Sequence, residues 1–147
     1  MRRIPAAVAV VTVDADGQRL GLTVTSFGSL SLDPPLAGVA ISRFAALHEL
    51  LREAGGFAVS VLEAGQEPLA RHFARGTPPI ALWSGIETRD GPRGPLLEGA
   101  VGWLECETWA QYPAGDHTLF VGRVESVVAG EPGAQPLVFV EQGYGQS

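Results

Sequence analysis

A histidine that follows a Gly-Asp turn is the side chain of this 147-residue sequence best suited to contact a ligand. His117 stands in the segment Gly115-Asp116-His117-Thr118, directly before a long run of strand-forming residues. Imidazole can donate or accept a hydrogen bond and can exchange a proton near neutral pH. Asp116 is placed either to orient the imidazole or to cap the turn. Taken alone, the pattern is equally typical of a surface histidine, so both interpretations stay open.

A second segment, residues 21–35, is rich in hydroxyl side chains. Thr25, Ser26, Ser29 and Ser31 follow a strand-like stretch, and Asp33-Pro34-Pro35 ends it. Such a segment offers hydroxyl and backbone N–H groups to an anion or to the edge of a ring. An ordinary polar loop has the same composition, and this interpretation is not excluded by the residues alone.

A third segment places two arginines near the end of a short predicted helix, in Arg71-His72-Phe73-Ala74-Arg75. Guanidinium groups bind phosphate through paired hydrogen bonds. Phe73 could stack on a planar ring or fill the core, which is the commoner fate of phenylalanine. A solvated helix face is the alternative to a phosphate site.

Composition and absent motifs narrow the function classes. The net charge of −6 argues against a nucleic-acid partner. All ten basic residues other than histidine are arginine, so no lysine is available for Schiff-base chemistry. The sequence has neither the glycine-rich Rossmann and P-loop signatures nor the Gly-x-Ser-x-Gly of hydrolases. His48, His72 and His117 lack metal-ligand spacing, so no metal is expected.

The amino-terminal stretch resembles a signal peptide in having two arginines before an apolar run, but the run is valine-rich and no small-residue cleavage site follows it cleanly. Cys106 stands between Glu105 and Glu107, whose charges disfavour a thiolate, and we expect a structural role for it. The apolar run that ends before Asp14 is about nine residues long, too short to span a membrane. We therefore expect a cytoplasmic protein with no membrane partner.

The elements that would position these residues are mostly strands. Gly55-Gly56 is a stop signal for the first of two helices, and Ser42 is its predicted N-cap. Residues 26–32 are expected to form a loop, as are 76–94 apart from a short strand near Ile86. The predicted strands are 6–13, 18–25, 36–42, 57–62, 99–111, 117–128 and 136–140, and the predicted helices are 44–54 and 66–74. About seven strands closing on themselves would leave no exposed edge, which favours a mainly antiparallel β-barrel.

In this order, the segments resemble those of the flavin reductase family over nearly the whole chain. The most recognisable signature is Gly115-Asp116-His117-Thr118 followed by Val121-Gly122-Arg123-Val124. The other matching stretches are 8–12, 23–35, 57–62 with Gln66 and 73–74, 136–139 and 143–145. The resemblance implies one domain over residues 1–147 with the FMN-binding split-barrel fold, a mainly β, antiparallel, Greek-key-like architecture with two or three short helices.

The resemblance also implies roles for individual residues. His117 matches the histidine beside the flavin, where the nicotinamide docks. The positions matched to flavin binding are Thr25, Ser26 and Phe27 at the isoalloxazine, Ser31 near the ribityl or phosphate part, Ser42 and Arg43 at the phosphate, Phe73 and Arg75 on the closing side, and Tyr144 near the ring. One departure is Phe44-Ala45-Ala46, where family members usually offer a hydroxyl to the phosphate.

The function implied is reduction of a flavin, FMN or else FAD, by NADH or NADPH. The family works as homodimers, and its members supply reduced flavin to a flavin-dependent monooxygenase. Three alternatives stay open at this point: an oxidase of the pyridoxamine-phosphate type on a related barrel, a non-catalytic FMN-binding barrel, and an all-β binding module for an apolar ligand.

Overall fold

A computed structural model describes residues 5–140 and 143–146 of the chain. The strands are β1 Ala6–Ala7, β2 Ala9–Ala15, β3 Gln18–Val24, β4 Gly28–Leu32, β5 Pro35–Ser42, β6 Gly56–Val61, β7 Thr88–Arg89, β8 Leu96–Leu97, β9 Gly102–Ala114, β10 His117–Ala129, β11 Leu137–Val140 and β12 Gly143–Gln146, and the helices are α1 Ala46–Ala54, α2 Glu67–Ala74 and α3 Pro79–Leu82. The mainly β, antiparallel prediction is confirmed. None of these helices has the length and hydropathy needed to cross a bilayer.

The main sheet has seven strands in the order β3-β2-β6-β9-β10-β5-β4. All of its neighbouring strands run antiparallel. β3, at one end of the order, also contacts β5, although no ladder pairs these two strands within the described residues. The sheet therefore folds round on itself and leaves a split between β3 and β5.

Strand β2 separates two hydrophobic clusters. Successive side chains of a strand point to opposite faces, and here both faces are buried. Val11 and Val13 belong to the cluster inside the sheet, which also holds Phe57 and Phe120. Val10 belongs to the other cluster, together with residues of α2, α3 and β11. A continuous valine-rich run is what a strand covered on both faces requires.

Helix α1 closes one end of the inner cluster. Leu47 and Leu51, one turn apart, are buried there, and Gly55 ends the helix with a φ of +77°, a conformation that glycine adopts without strain. The predicted N-cap at Ser42 is wrong, because Ser42 is the last residue of β5 and Ala45 occupies the N-cap position. Ala45 has no side-chain oxygen, so no side chain caps the helix.

Helix α2 lies against β3. The Thr23 hydroxyl donates a hydrogen bond to the Ala70 carbonyl oxygen at 2.6 Å. A Cβ atom at Gly21 would lie 2.9 Å from Cδ1 of Phe73, so only glycine allows the Phe73 ring to pack this closely on the strand. This contact fixes α2, and with it Arg75, relative to β3.

Three segments differ from the sequence prediction. The expected loop 26–32 contains strand β4, which pairs with β5 through a register shift between Ser29 and Ser31. The loop at 76–94 contains α3 as well as the short strand expected near Ile86, which is β7. The glycine-rich tail, which follows the last predicted strand, contains one more strand, β12, paired with β11. Hydroxyl and glycine content alone do not reveal a partner strand, which explains the first and third differences.

Candidate active site

His117 is presented by the tight turn between β9 and β10. Gly115 and Asp116 form the turn, and Gly115 has a φ of +67°. His117 is the first residue of β10 and pairs with Ser42, the last residue of β5. Its Nδ1 lies 2.7 Å from a carboxylate oxygen of Asp116, and its side chain is 43% exposed. In the neutral imidazole, an Nδ1–H that donates to Asp116 leaves Nε2 available to a ligand.

The contact with His117 stabilises the ionised form of the Asp116 carboxylate. The hydrogen bond from His117, and then the charge of its ring, hold the pKa of Asp116 below its ordinary value of 3.8. The carboxylate therefore stays ionised throughout the neutral range and can orient the ring. Of the two sequence interpretations of Asp116, the geometry favours orientation of the imidazole.

Arg43 holds the same turn from β5. Its backbone N–H donates to the Asp116 carbonyl oxygen at 3.0 Å, and its guanidinium donates to the Gly115 carbonyl oxygen. The Arg43 side chain lines a separate depression of about 310 Å³, together with His48 and Arg52. In this arrangement Arg43 acts on the turn that carries His117.

A cleft of about 380 Å³ opens at the split between β3 and β5, and we call it the histidine cleft. It is lined by Leu22, Thr23, Val24, Thr25, Ser26, Ala40, Ser42, Ala45 and His117. The Ser26 hydroxyl donates to the Ala40 carbonyl oxygen and accepts from the Ala40 N–H, both at 3.0 Å. This pair of bonds fixes the end of β3 to β5, while Thr25 lies exposed at the rim.

The cleft continues into a second one of about 490 Å³, the arginine cleft, which shares Leu22, Ser42 and Ala45 with it. Its other walls are the first turn of α1 and the end of α2 with the residues after it, through Thr77. Arg75 is exposed there, and its guanidinium lies 3.4 Å from Nδ1 of His72. The first N–H groups of a helix have no partner within the helix, and an arginine nearby adds positive charge. The arginine cleft can therefore hold an anion.

A third cleft, of about 500 Å³, adjoins the arginine cleft through Leu20, which lines both. We call it the α3 cleft. It lies between the β2–β3 turn and α3 and is lined by Gly17, Gln18, Arg19, Leu20, Pro79, Ile80 and Trp83. The three clefts thus lie one after another beside β3, and neighbouring clefts share lining residues.

Comparison with known proteins identifies the family. The model of the flavin reductase like domain matches residues 1–147. The chain belongs to this family. As a flavin reductase domain it is similar over 144 residues, at 42% identity, to the reductase component of 4-hydroxyphenylacetate 3-monooxygenase of Thermus thermophilus, and the match covers 98% of this chain and 90% of that protein.

Two further relatives differ in the flavin for which they are named. An NADH-dependent FMN reductase of Streptomyces nodosus subsp. asukaensis is 41% identical over 149 residues, covering 98% of this domain and 80% of its own length. The solved structure of an NADH:FAD oxidoreductase of Streptomyces globisporus superposes with a TM-score of 0.91 at 38% identity, covering 97% of this domain and 86% of that chain. The split-barrel prediction is thereby confirmed for this flavin reductase domain.

The predicted site residues fall into two groups in the flavin reductase domain. Thr25, Ser26, Ser42 and His117 line the histidine cleft, and Ser42 also lines the arginine cleft with Phe73 and Arg75. Phe73 is only 3% exposed, so it is mainly a core residue that contributes the edge of its ring to the wall.

The other predicted residues lie apart from the two clefts. Arg43, which the resemblance assigns to the phosphate, lines the separate depression with His48 and Arg52. Phe27 and Ser31 line a depression of about 320 Å³ beside β4 and β10. Tyr144 packs against Phe139 with ring centroids 5.3 Å apart and lies under the Arg71 guanidinium at 5.1 Å. Their roles in flavin binding stay predictions.

Sequence reasoning missed the backbone at the start of α1. Ala45 and Ala46 wall the arginine cleft where the sequence suggested only a lost hydroxyl. The signal was present in the sequence, because a helix whose cap position holds alanine leaves its N–H groups for another acceptor. In the structure, the segment that lacks the hydroxyl is the start of a helix with no side-chain cap, and this start lines the same cleft as Arg75.

The described part of the flavin reductase domain contains neither a reactive cysteine nor a cluster of metal ligands. Burial, reinforced by Glu125, raises the pKa of the Cys106 thiol to about 12. A thiol with so high a pKa is not a nucleophile, in agreement with the structural role expected for it. Within residues 5–140 and 143–146, no group of three His, Cys, Asp or Glu side chains is arranged to hold a metal ion.

Proposed function

We propose that the chain reduces a flavin with NADH or NADPH, using the histidine cleft for the ring and the arginine cleft for the phosphate. The observation that carries the proposal is that the two clefts adjoin each other, with Leu22, Ser42 and Ala45 lining both. One end offers an imidazole and hydroxyl groups, and the other offers an arginine and an uncapped helix. A flavin nucleotide has a polar-edged ring at one end and a phosphate at the other.

The phosphate end gives the more specific fit. In α1 no side-chain hydrogen bond caps the helix at Ala45. The His48 N–H already donates to the Ala45 carbonyl oxygen at 3.0 Å. A phosphate at this position would therefore accept from the N–H groups of Ala46 and Leu47 and from Arg75, and it would interact favourably with the helix dipole. Ser42, whose hydroxyl accepts the Phe44 N–H at 3.2 Å, completes the wall between the two clefts.

When bound, the flavin accepts a hydride from the reduced nicotinamide and later passes its electrons on. The protein positions the two molecules. The Asp116 carboxylate keeps the His117 ring oriented by its 2.7 Å contact with Nδ1, so that Nε2 can contact the nicotinamide or the ring edge. The Thr25 hydroxyl and nearby backbone N–H groups stabilise negative charge on the ring. His117 is a positioning group in this scheme, with no obligatory proton transfer.

The proposal also covers the protein that receives the reduced flavin. A relative is named as the reductase component of a monooxygenase, and we propose that reduced flavin leaves the open cleft for a partner oxygenase. Release can be measured anaerobically from the loss of the oxidised flavin absorbance. The concentration of flavin reduced should exceed the enzyme concentration many times over. Bleaching that stops at one flavin per chain would contradict release.

We also propose that the enzyme is located in the cytoplasm, where reduced nicotinamide nucleotides are available. Cell fractionation tests this location.

We also propose a homodimer that uses the apolar depression beside β4. β4 is an edge strand of the main sheet, and its Leu32 is 90% exposed, with Val127 of β10 68% exposed nearby. An exposed apolar edge strand favours association. A homodimer through this face would place Phe27 and Ser31 at a subunit boundary. The variant Leu32→Asp should raise the dissociation constant of the dimer at least about tenfold. Light scattering after size-exclusion chromatography at several protein concentrations measures this, and an unchanged dimer would place the interface elsewhere.

The central test is oxidation of NADH and of NADPH by the purified protein, followed by the loss of their near-ultraviolet absorbance. We expect slow oxidation without added flavin and a saturable increase when FMN or FAD is added. His117→Ala should retain flavin binding and lose most of the rate. Oxidation of neither nucleotide in the presence of either flavin would overturn the proposal and leave a flavin-binding barrel without activity.

A further inference from the structure

His48 is a buried histidine to which the proposed function gives no role. Only 6% of its side chain is exposed, and its ring packs edge-on against Phe120 with ring centroids 5.5 Å apart. Both ring nitrogens have a partner. Nδ1 lies 2.6 Å from a carboxylate oxygen of Glu49, and Nε2 lies 2.7 Å from the Thr118 hydroxyl oxygen. Because a buried polar group is costly unless its hydrogen bonds are made, these two contacts fix the orientation of the ring.

The Glu49 carboxylate decides the direction of these hydrogen bonds. The hydrogen bond from His48, aided by the charge of Arg52, holds the pKa of Glu49 below its ordinary value of 4.5. An ionised carboxylate only accepts hydrogen bonds, so Nδ1 of His48 carries the proton that points to Glu49. In the neutral imidazole Nε2 is then an acceptor, and the Thr118 hydroxyl donates to it.

The bond between His48 and Thr118 joins the two ends of the proposed flavin site. His48 lies in the first turn of α1, and the start of this helix lines the arginine cleft. Thr118 is the second residue of β10 and directly follows His117, which lines the histidine cleft. Arg43 holds the turn before His117 from β5. His48 therefore adds a second attachment, from the helix, to the segment that carries His117.

We propose that His48 is a positioning residue, which through Thr118 holds His117 at a fixed distance from the start of α1. The inference rests on the proposed function and adds a residue to it. If the phosphate of FMN is held at the start of α1, this distance sets where the flavin ring lies relative to His117. A displacement of about 1 Å between reacting groups can lower a rate by up to about 100-fold.

Riboflavin separates this role from a general contribution to stability. It has no phosphate, so the start of α1 does not anchor it and its ring can follow His117 when β10 shifts. Loss of the bond should therefore slow the reduction of FMN and leave the reduction of riboflavin nearly unchanged. Damage to the fold would slow both reactions alike.

The experiment replaces Thr118 in the full chain, because valine has nearly the same shape as threonine and lacks only the hydroxyl. Thr118→Val should lower kcat with FMN about tenfold and kcat with riboflavin less than about twofold. The dissociation constant of FMN, measured by quenching of flavin fluorescence without nicotinamide, should stay within about threefold. Thr118→Ser, which keeps the hydroxyl, should retain the kcat of the unmodified protein for FMN.

Thr108 offers a matched control on the neighbouring strand β9. Its hydroxyl oxygen is buried and has no hydrogen-bond partner among the described residues, so Thr108→Val makes the same chemical change without breaking a bond. Its kcat with FMN should stay within about 1.5-fold of the unmodified protein. His48→Leu should resemble Thr118→Val, and the double variant should lose no more than either single variant, because both substitutions break the same bond.

Three outcomes would overturn the inference. Equal losses of kcat with FMN and riboflavin in Thr118→Val would show general damage. An unchanged kcat with FMN in this variant would show that the bond supports only the fold. A loss in Thr118→Ser as large as that in Thr118→Val would detach the effect from the hydroxyl. In all three cases the unmodified protein still reduces FMN, which separates failure of the inference from failure of the proposed function.

Discussion

One short segment of chain, residues 25–32, contributes to two regions of opposite character. Thr25 and Ser26 line the histidine cleft, and Ser26 is bonded to the backbone of β5. A few residues later, Ser31 and Leu32 line the apolar depression beside β4. The sequence presents the segment as a single hydroxyl-rich unit, yet its two ends lie in different surroundings.

The difference shows that hydroxyl content does not define a binding site. The histidine cleft combines the segment with Ser42 and His117 from other strands, which bring a titratable side chain and polar backbone. The depression combines it with Leu104, Val124 and Val127, which bring apolar surface. We infer chemistry in the first region and association between chains in the second.

The largest effect expected from this comparison is that of His117→Ala. Loss of a positioning group in the histidine cleft should lower kcat about 100-fold. The flavin affinity should stay within about threefold, because the phosphate contacts in the arginine cleft are untouched. Stopped-flow kinetics with NADH separates the two quantities. Arg123→Ala, at an exposed position of β10 outside the clefts, is the control; an equal loss in both variants would remove His117 from the site.

A smaller effect is expected in the arginine cleft. Arg75→Ala should raise the KM for FMN about tenfold, since a charged hydrogen bond to phosphate contributes about 1.5–3 kcal/mol. The KM for riboflavin, which lacks the phosphate, should not change. Steady-state assays with the two flavins make the comparison within one variant. If riboflavin and FMN are affected alike, Arg75 does not contact the phosphate.

Asp116→Asn should lower kcat about threefold, because the amide still contacts His117 but no longer carries charge. The pH dependence has a defined sign. A carboxyl whose folded-state pKa is lowered contributes stability above its unfolded value and loses this contribution as the pH falls through the folded value. The thermal stability of the protein should therefore exceed that of the variant above pH 3.8 and approach it below. A difference that persists in strong acid would show that it does not come from the charge of Asp116.

The smallest effect expected is that of Ser31→Ala, in the depression beside β4. The substitution removes one hydroxyl outside the two clefts, and kcat and the KM for FMN should both stay within about 1.5-fold. Because the resemblance assigns Ser31 to the ribityl or phosphate part of the flavin, this result would sharpen the contrast between the two regions. A fivefold rise in the KM for FMN would show that Ser31 reaches flavin, and the subunit boundary proposed above would be the place.

Local patterns predicted most of the elements because their causes are local. The valine-rich run at 8–13 predicts a buried strand, and Gly55 predicts the end of α1. The predictions failed where a distant partner decides the structure. β4 forms because β5 pairs with it, and α1 begins at Ala46 because Ser42 is held in the sheet opposite His117.

The candidate site was predicted in part for the same reason. Residue types and local spacing were enough to identify the groups that can do chemistry here: a histidine after a Gly-Asp turn, a hydroxyl-rich segment and an arginine at the end of α2. Which of these groups meet depends on the fold. Antiparallel pairing of β10 with β5 sets His117 beside Ser42, and the split between β3 and β5 brings Thr25 close to both residues. Residues distant in sequence become neighbours through strand register, and no local pattern encodes that register.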